Sequence, residues 1–147
     1  SSTDARAFNG RVLREAELCI ARAVPGAVVL RPTGLYGPDR DYMLRRARRD
    51  EPARPRWTNR VHVEDVAGAL SHLLDLPGPR SLYLCSDDLP AREDEVLGWL
   101  RGRMGLPPLA TLAEPESGRR VSNARLRDSG WVPRWPDYRS GYAALPG

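Results

Sequence analysis

Residues 25–38 read PGAVVLRPTGLYGP, which is a turn, a short apolar run and a second turn rich in glycine and proline. The apolar run at residues 27–30 is unbroken and contains two valines, as is typical of a strand covered on both faces in a parallel sheet. Ahead of it, apolar residues recur at helical spacing and predict an amphipathic helix over residues 9–24, closed by Pro25-Gly26. Helix, tight turn and buried strand in this order indicate half of a βαβ unit, which predicts the α/β class.

The rest of the chain continues this alternation of strands and helices. Short strands are predicted over residues 61–63 and 82–85, and helices over residues 41–49, 66–74 and 90–104. We expect Asp65 to cap the second of these helices and Pro90 to stand at the start of the third. Two small helices are predicted, one near residue 123 and one after Pro136-Asp137. Only two or three sheet strands are recognisable, which is too few for a complete doubly wound sheet.

The composition fits a single globular domain, with 147 residues, a net charge of +4 and 41% hydrophobic positions. The apolar runs are all much shorter than the roughly 18 residues that span a bilayer. Residues 1–4 are polar and lack the features of a signal peptide. We therefore predict a cytoplasmic protein.

All 23 basic residues are arginine, because the sequence contains no lysine. Chemistry that needs a titratable ammonium group, such as Schiff-base formation, is therefore excluded within this chain. Cys19 and Cys85 stand far apart, outside any Cys-x-x-Cys pair and away from a histidine at ligand spacing. We predict two reduced, buried thiols and no metal site.

Residues 40–60 hold eight arginines against Asp41, Asp50 and Glu51, which gives this segment a net charge of +5. Neither aromatic interleaving nor a helix-turn-helix pattern accompanies the arginines, so nucleic acid is a disfavoured partner. A solvated helix face with an anion-attracting loop explains the segment better. Binding of a polyanion stays open as a weaker alternative.

Three stretches of the chain resemble successive landmarks of one enzyme family. They are residues 31–38 (RPTGLYGP), 59–67 (NRVHVEDVA) and 123–133 (NARLRDSGWVP), and residues 10–17 precede them in the family's order. By these motifs the chain is identified as a member of the extended short-chain dehydrogenases/reductases, the NAD(P)-dependent epimerase/dehydratase family. The resemblance implies the C-terminal part of a Rossmann-like doubly wound parallel sheet, with a small irregular α/β subdomain on the substrate side. Residues 1–147 would then form one partial domain, whose glycine-rich N-terminal half is absent from this chain.

The resemblance also implies where the family's catalytic Tyr-x-x-x-Lys pair falls. Ala16-Glu17 matches the Ala-Glu that follows this pair, which puts Asn9 at the tyrosine position and Leu13 at the lysine position. Neither side chain supplies the proton donor or the ammonium group that the family's chemistry requires. The chain is therefore similar to atypical members of the family, and we assign it no catalytic residue.

The family's cofactor and substrate positions can be carried over to the first two stretches. The resemblance implies that the nicotinamide end of NAD or NADP contacts Pro32, Thr33 and Leu35. On the substrate side, where the family often holds a nucleotide sugar, the corresponding residues are Tyr36, Arg40 and His62. The residues alone also allow a structural interpretation. In it, Gly34 and Gly37 satisfy turn geometry, Tyr36 packs at the rim and His62 has a structural role.

Two classes of function remain open from the sequence. The protein is either an NAD(P)-dependent epimerase, dehydratase or oxidoreductase, or a non-catalytic protein of the same fold that senses NAD(P) or serves as a scaffold. This chain alone is expected to be inactive and to bind the cofactor weakly, since no Gly-x-Gly-x-x-Gly turn follows a strand. The missing strands also predict an exposed apolar sheet edge and self-association, for example as a homodimer.

Overall fold

The computed structural model describes residues 26–145; the helix predicted over residues 9–24, the dyad positions Asn9 and Leu13, and Cys19 lie outside the described residues. The strands are β1 (Val29–Pro32), β2 (Gly34–Tyr36), β3 (Arg56–Thr58), β4 (Arg60–His62), β5 (Leu82–Cys85), β6 (Ala91–Arg92) and β7 (Ser117–Gly118). The helices are α1 (Tyr42–Ala47), α2 (Val63–Asp75), α3 (Glu93–Met104), α4 (Ala124–Asp128) and α5 (Tyr138–Ala143). Within residues 26–145, no helix combines the length and apolar character needed to cross a membrane.

Two parallel strand pairs carry the fold. β1 pairs with β5 and β2 pairs with β4, and α2 connects β4 to β5. The chain changes partners between β1 and β2. The Thr33 amide donates to the Cys85 carbonyl at 3.0 Å, and the next amide, of Gly34, donates to the Asn59 carbonyl at 3.1 Å. Parallel strands joined through a helix confirm the predicted α/β class.

A third sheet contains three short strands in the order β6-β3-β7, with β3 antiparallel to β6 and parallel to β7. The prediction of only two or three strands was wrong, because the described residues hold seven. Strands of two or three residues are too short to show an alternating pattern. Pro52 and Pro55 also gave the segment before β3 the character of a loop.

Two clusters of buried side chains hold these sheets in place. The larger members of the first cluster are Tyr36, Val96, Leu97, Leu100, Tyr138 and Tyr142. The larger members of the second cluster are Val61, Leu73, Tyr83, Leu126 and Trp131. Cys85 lies in the second cluster as a buried, free thiol, as predicted.

The start of α2 differs from the prediction. His62 caps the helix, because its Nδ1 accepts a hydrogen bond from the Glu64 amide at 3.1 Å. Asp65 instead lies in the first turn, where its carboxylate accepts the amides of Arg134 and Trp135 at 2.7 and 3.1 Å. The capping role predicted for Asp65 was therefore wrong. Its carboxylate holds a loop that is distant in sequence, and local spacing does not reveal such a contact.

The two long helices also depart from their predicted faces and bounds. In α2, Leu73 is buried but Leu74 is 87% exposed, so the buried stripe is narrower than the helical spacing predicted. α3 begins at Glu93, later than the predicted start at Pro90, because the intervening residues form β6 against β3. Its end at Gly105 was predicted correctly. The φ of +71° there favours glycine.

Gly141 in α5 lies against the ring of Tyr36, where a side chain has no room. A Cβ atom at Gly141 would overlap the Tyr36 hydroxyl and come within 2.5 Å of Cζ. We expect Gly141→Ala to lower the free energy of unfolding by about 1–3 kcal/mol, because it displaces the stacked pair Tyr36 and Tyr142. Urea denaturation of the two proteins measures this loss.

Gly98→Ala is the matched control for this substitution. Gly98 lies in α3, and no atom lies within 4 Å of a Cβ placed there. The substitution should leave stability unchanged or raise it by up to about 1 kcal/mol, as alanine does in an exposed helix. Equal losses from Gly98→Ala and Gly141→Ala would contradict the packing described for Gly141.

Candidate functional site

The carboxyl ends of β1 and β5 meet at one edge of the parallel pair, which is where α/β sheets commonly bind ligands. Thr33 Oγ1 donates to Ser86 Oγ at 3.0 Å and so joins the two strand ends. Asn123 Nδ2 donates to the Ser86 carbonyl at 2.9 Å and brings the start of α4 to the same place. Pro32 and Thr33 are therefore fixed at this edge. Their contact with a cofactor stays a prediction.

A cleft of about 200 Å³ opens beside β2 and α5. Its apolar and aromatic lining consists of Leu35, Tyr36, Tyr42, Met43 and Tyr142. Its polar side chains are Arg40, Arg56, Thr58, Asn59, Arg60 and Glu93. Three of the six predicted site residues, Leu35, Tyr36 and Arg40, thus share one cavity. Pro32, Thr33 and His62 do not line it.

His62 is held as a buried packing residue. Its ring stacks on Trp135 with 4.0 Å between ring centroids, and Tyr36 meets it edge-on at 5.3 Å. Burial lowers the pKa of His62, and Nδ1 is occupied by the helix cap, so the ring is neutral at physiological pH. This geometry favours the structural interpretation, and a substrate-side role for His62 stays a prediction.

Tyr36 and Tyr142 form an aromatic wall of the cleft, stacked with 4.5 Å between ring centroids. The Tyr36 hydroxyl donates to the Asp137 carbonyl at 3.4 Å, and the ring is buried, so Tyr36 is not the rim residue of the structural alternative. The Tyr142 hydroxyl has no hydrogen-bond partner among residues 26–145. Burial raises the pKa of Tyr142 to about 12, so at neutral pH this phenol keeps its proton and can donate it in a hydrogen bond.

Arg60 brings a desolvated positive charge to the cleft. The residue is only 5% exposed, and its Nη2 donates to Thr58 Oγ1. Its Nη1 is buried and has no hydrogen-bond partner in the described part of the chain. The guanidinium lies 5.5 Å from the ring centroid of Tyr138. Buried charges are costly unless they are fully paired, and incompletely paired ones are characteristic of binding sites.

Asp87, two residues after the end of β5, does not line the cleft but interacts electrostatically with Tyr36 and Tyr142 of its lining. Its Oδ1 accepts the Leu89 amide at 3.0 Å, which forms a side-chain turn after β5. The carboxyl group is also 1% exposed, and its Oδ2 has no partner among the described residues. Burial raises the pKa of Asp87 to about 7, although the charge of Arg60 opposes this rise. No sequence signal distinguishes Asp87 from the exposed Asp88 beside it.

The arginines of residues 40–60 are largely committed to contacts within the protein. The ion pairs formed by four of them are Arg45 with Asp41, Arg49 with Glu51, Arg54 with Glu114, and Arg56 with Glu93. These pairs reduce the charge that the segment presents to a partner. Within the described residues, no cluster of three His, Cys, Asp or Glu side chains is suited to a metal ion.

Comparison with known proteins gives partial but consistent matches, although no model of a known protein family matches the chain. The chain is similar to protein YeeZ of Escherichia coli strain K12, with 39% identity over 87 residues, which are 57% of this chain and 31% of YeeZ. It is also similar to a solved structure from Methylobacillus flagellatus, provisionally named an NAD-dependent epimerase/dehydratase. That match has a TM-score of 0.85 and 38% identity, and covers 94% of this chain and 52% of the other.

A more distant match is dTDP-glucose 4,6-dehydratase from Bacillus anthracis, whose structure was solved in complex with NAD. The TM-score is 0.67 at 14% identity, with 87% of this chain and 46% of that chain covered, so this match shows the fold alone. The chain spans about half the length of these solved structures and about a third of YeeZ. Together the matches confirm the Rossmann-like α/β fold.

Proposed function

We propose a nicotinamide-dependent function on the premise that this chain is, by its fold, part of an NAD-dependent epimerase/dehydratase of the extended short-chain dehydrogenase/reductase type. The protein acts as an NAD(P)-dependent epimerase, dehydratase or oxidoreductase on a small molecule, without the family's Tyr-x-x-x-Lys pair. The observation that supports this most directly is the position of the cleft. It lies beside the point where the chain changes strand partners between Thr33 and Gly34, and Leu35 and Tyr36 line it.

The described residues fit one end of the cofactor. Leu35 is 36% exposed, and its outward apolar surface suits the nicotinamide ring, which leaves the interior of the cleft for the substrate. The Thr33 hydroxyl is already engaged with Ser86. No glycine-rich turn for the pyrophosphate follows a strand in residues 26–145. When bound, the cofactor supplies hydride transfer.

Two groups of this chain hold protons near the cleft. The Tyr142 phenol lines the cavity and keeps its proton at neutral pH, so it can donate a hydrogen bond to a bound substrate oxygen. The Asp87 carboxyl does not line the cavity, but its pKa is raised to about 7 by burial, and it interacts electrostatically with Tyr142 and Arg60. Because the chain contains no lysine, we propose that Tyr142 and Asp87 are the described groups that serve as proton carriers.

The substrate in this proposal is a small molecule. A nucleotide sugar is the substrate class that the resemblance implies, and one structural neighbour is named for dTDP-glucose. The ion pairs of residues 40–60 disfavour the alternative of polyanion binding, because acidic side chains partly neutralise the charge of four of the eight arginines. If a polyanion were the partner, its affinity would fall steeply with salt.

Thermal unfolding of the protein expressed from its complete reading frame tests the proposal. We expect NAD or NADP to raise the melting temperature, since a ligand at 100 times its Kd stabilises by about 2.7 kcal/mol. Turnover is then followed by the near-ultraviolet absorbance of the reduced nicotinamide with candidate substrates. Stabilisation without turnover would favour the sensing or scaffold alternative. Absence of any cofactor effect would overturn the proposal.

A further inference from the structure

We infer that the cleft beside β2 takes a small carboxylate with a flat, apolar body, rather than a nucleotide sugar. This inference rests on the proposed function for the position of the cleft, and it adds the substrate class. Three observations carry it: the size of the cavity, the donor character of its free polar groups, and the buried guanidinium of Arg60. Each is independent of the cofactor.

The size of the cleft limits the ligand. The cavity measures about 200 Å³, whereas pockets for drug-sized ligands range over roughly 300–1,000 Å³. A nucleotide sugar contains a base, two sugars and a diphosphate, and is larger than a drug-sized molecule of that range. Only a fragment of such a molecule would enter the space that Leu35, Met43 and Tyr142 enclose.

Most polar side chains of the lining are already occupied. Asn59 donates to the Arg119 carbonyl and accepts the Val121 amide. The Thr58 hydroxyl donates to the Ala91 carbonyl at 2.7 Å. These two side chains therefore hold the loops around the cleft and have little capacity left for a ligand.

The acidic side chain of the lining is engaged as well. Glu93 accepts the amide of Arg54 at 2.9 Å and the guanidinium of Arg56 at 3.1 Å. The polar side chains left for a ligand in the described lining are the guanidinium groups of Arg40 and Arg60, which only donate, and the hydroxyls of Tyr42 and Tyr142. Arg40 and Tyr42 are exposed, so Arg60 and Tyr142 are the two that are buried. A sugar presents hydroxyls that need acceptors as well as donors, whereas a carboxylate only accepts.

Arg60 favours one negative charge in this cleft. Its guanidinium is desolvated, and its Nη1 lacks an acceptor among the described residues. A planar carboxylate matches the fork of a guanidinium. A phosphate monoester carries more charge and three acceptor oxygens, whereas Arg60 is the one buried guanidinium in the described lining and Arg40 lies exposed.

The rest of the cleft fits a flat apolar group. Tyr142 stacks on Tyr36 with 29° between the ring planes, and Leu35 and Met43 complete the apolar lining. Aromatic rings pack favourably against such a wall in offset or edge-to-face arrangements. The ligand class that satisfies charge, shape and size together is an aromatic or unsaturated carboxylate.

NMR titration of the full chain with benzoate, the neutral benzamide and UDP-glucose tests this inference. We expect benzoate to shift the tyrosine resonances of the cleft and to bind at least about tenfold more tightly than benzamide, the effect of one charge-assisted hydrogen bond. UDP-glucose should not displace benzoate. Equal affinities for benzoate and benzamide, no binding of benzoate, or its displacement by UDP-glucose at lower concentration would each overturn the inference.

Substitutions assign the binding to the cleft. Arg60→Gln should remove the preference for benzoate over benzamide. Tyr142→Phe keeps the stacked ring and should lower the affinity for benzoate by several-fold. This second variant tests the inference even if Arg60→Gln does not fold. Arg48→Gln is the matched control: Arg48 is an exposed arginine of the same segment and does not line the cleft, so benzoate binding should be unchanged. Benzoate affinity unaffected by Tyr142→Phe would place the binding elsewhere and contradict the inference. The cofactor experiment has its own readout, so either proposal can fail while the other stands.

Discussion

Replacing Arg101 by alanine is expected to lower the free energy of unfolding by about 2–5 kcal/mol. The Arg101 side chain is 2% exposed and extends from α3 into a set of backbone acceptors. It donates to the carbonyls of Ala47 at 2.8 Å, Arg49 at 3.4 Å and Pro107 at 2.5 Å, and pairs with Asp50 at 2.8 Å. Alanine leaves a cavity and removes the donor from each carbonyl, and buried acceptors without donors are costly.

Urea denaturation followed by far-ultraviolet circular dichroism measures this loss. Arg103→Ala is the matched control, because Arg103 lies two residues away in the same helix, is exposed, and has its guanidinium 5.0 Å from the ring centroid of Trp99. It should cost less than about 1 kcal/mol. If Arg101→Ala were no more destabilising than Arg103→Ala, the contacts between α1, α3 and the following loop would not carry the stability assigned to them here.

Replacing Asp87 by asparagine is expected to stabilise the protein above neutral pH by up to about 4 kcal/mol. In the folded protein the pKa of Asp87 is raised to about 7 from the ordinary value of 3.8. Below about pH 4 the carboxyl is protonated in both states and adds no penalty. As the pH rises towards 7, the unfolded chain releases this proton while the folded protein retains it, so stability falls. Above pH 7 the charge is buried and the full penalty applies.

Urea denaturation of both proteins at pH 4, 6 and 8 tests the sign of this effect. Asparagine can still accept the Leu89 amide through its side-chain oxygen, so the turn should persist. The variant should match the parent at low pH and exceed it at pH 8. Asp75→Asn, at an exposed aspartate that ends α2, should show no such dependence. A difference between Asp87→Asn and the parent that is constant with pH would refute the buried, protonated carboxyl.

The α/β class could be predicted from local patterns, because the decisive elements are short and strongly marked. The apolar run at residues 27–30 predicts β1, which the structure places at Val29–Pro32, and the run at residues 82–85 forms β5. The two strands pair in parallel. The apolar side of α3 and its end at Gly105 were also readable, since helical spacing and a glycine stop are local properties. The third sheet was missed, because its strands are too short to have a period.

The residues of the candidate site were only partly predictable. The motif at residues 31–38 led to Leu35, Tyr36 and Arg40, which do line the cleft. It did not lead to Arg60 or Tyr142, because one is an arginine among eight and the other lies in the last small helix, more than 100 residues from the motif. His62 drew attention as a lone histidine, yet its ring caps a helix and stacks on Trp135.

The sequence by itself determined the absence of lysine, the alternation of strands and helices that indicates the α/β class, and the stretches that resemble a nicotinamide-dependent family. These depend on residue type and on spacing along the chain. Only the tertiary structure decided which charged groups are removed from water, and so singled out Arg60, Asp87 and Arg101. Burial depends on elements far apart in sequence meeting in space, and it is burial that turns an ordinary charge into a binding group, a proton holder or a structural anchor.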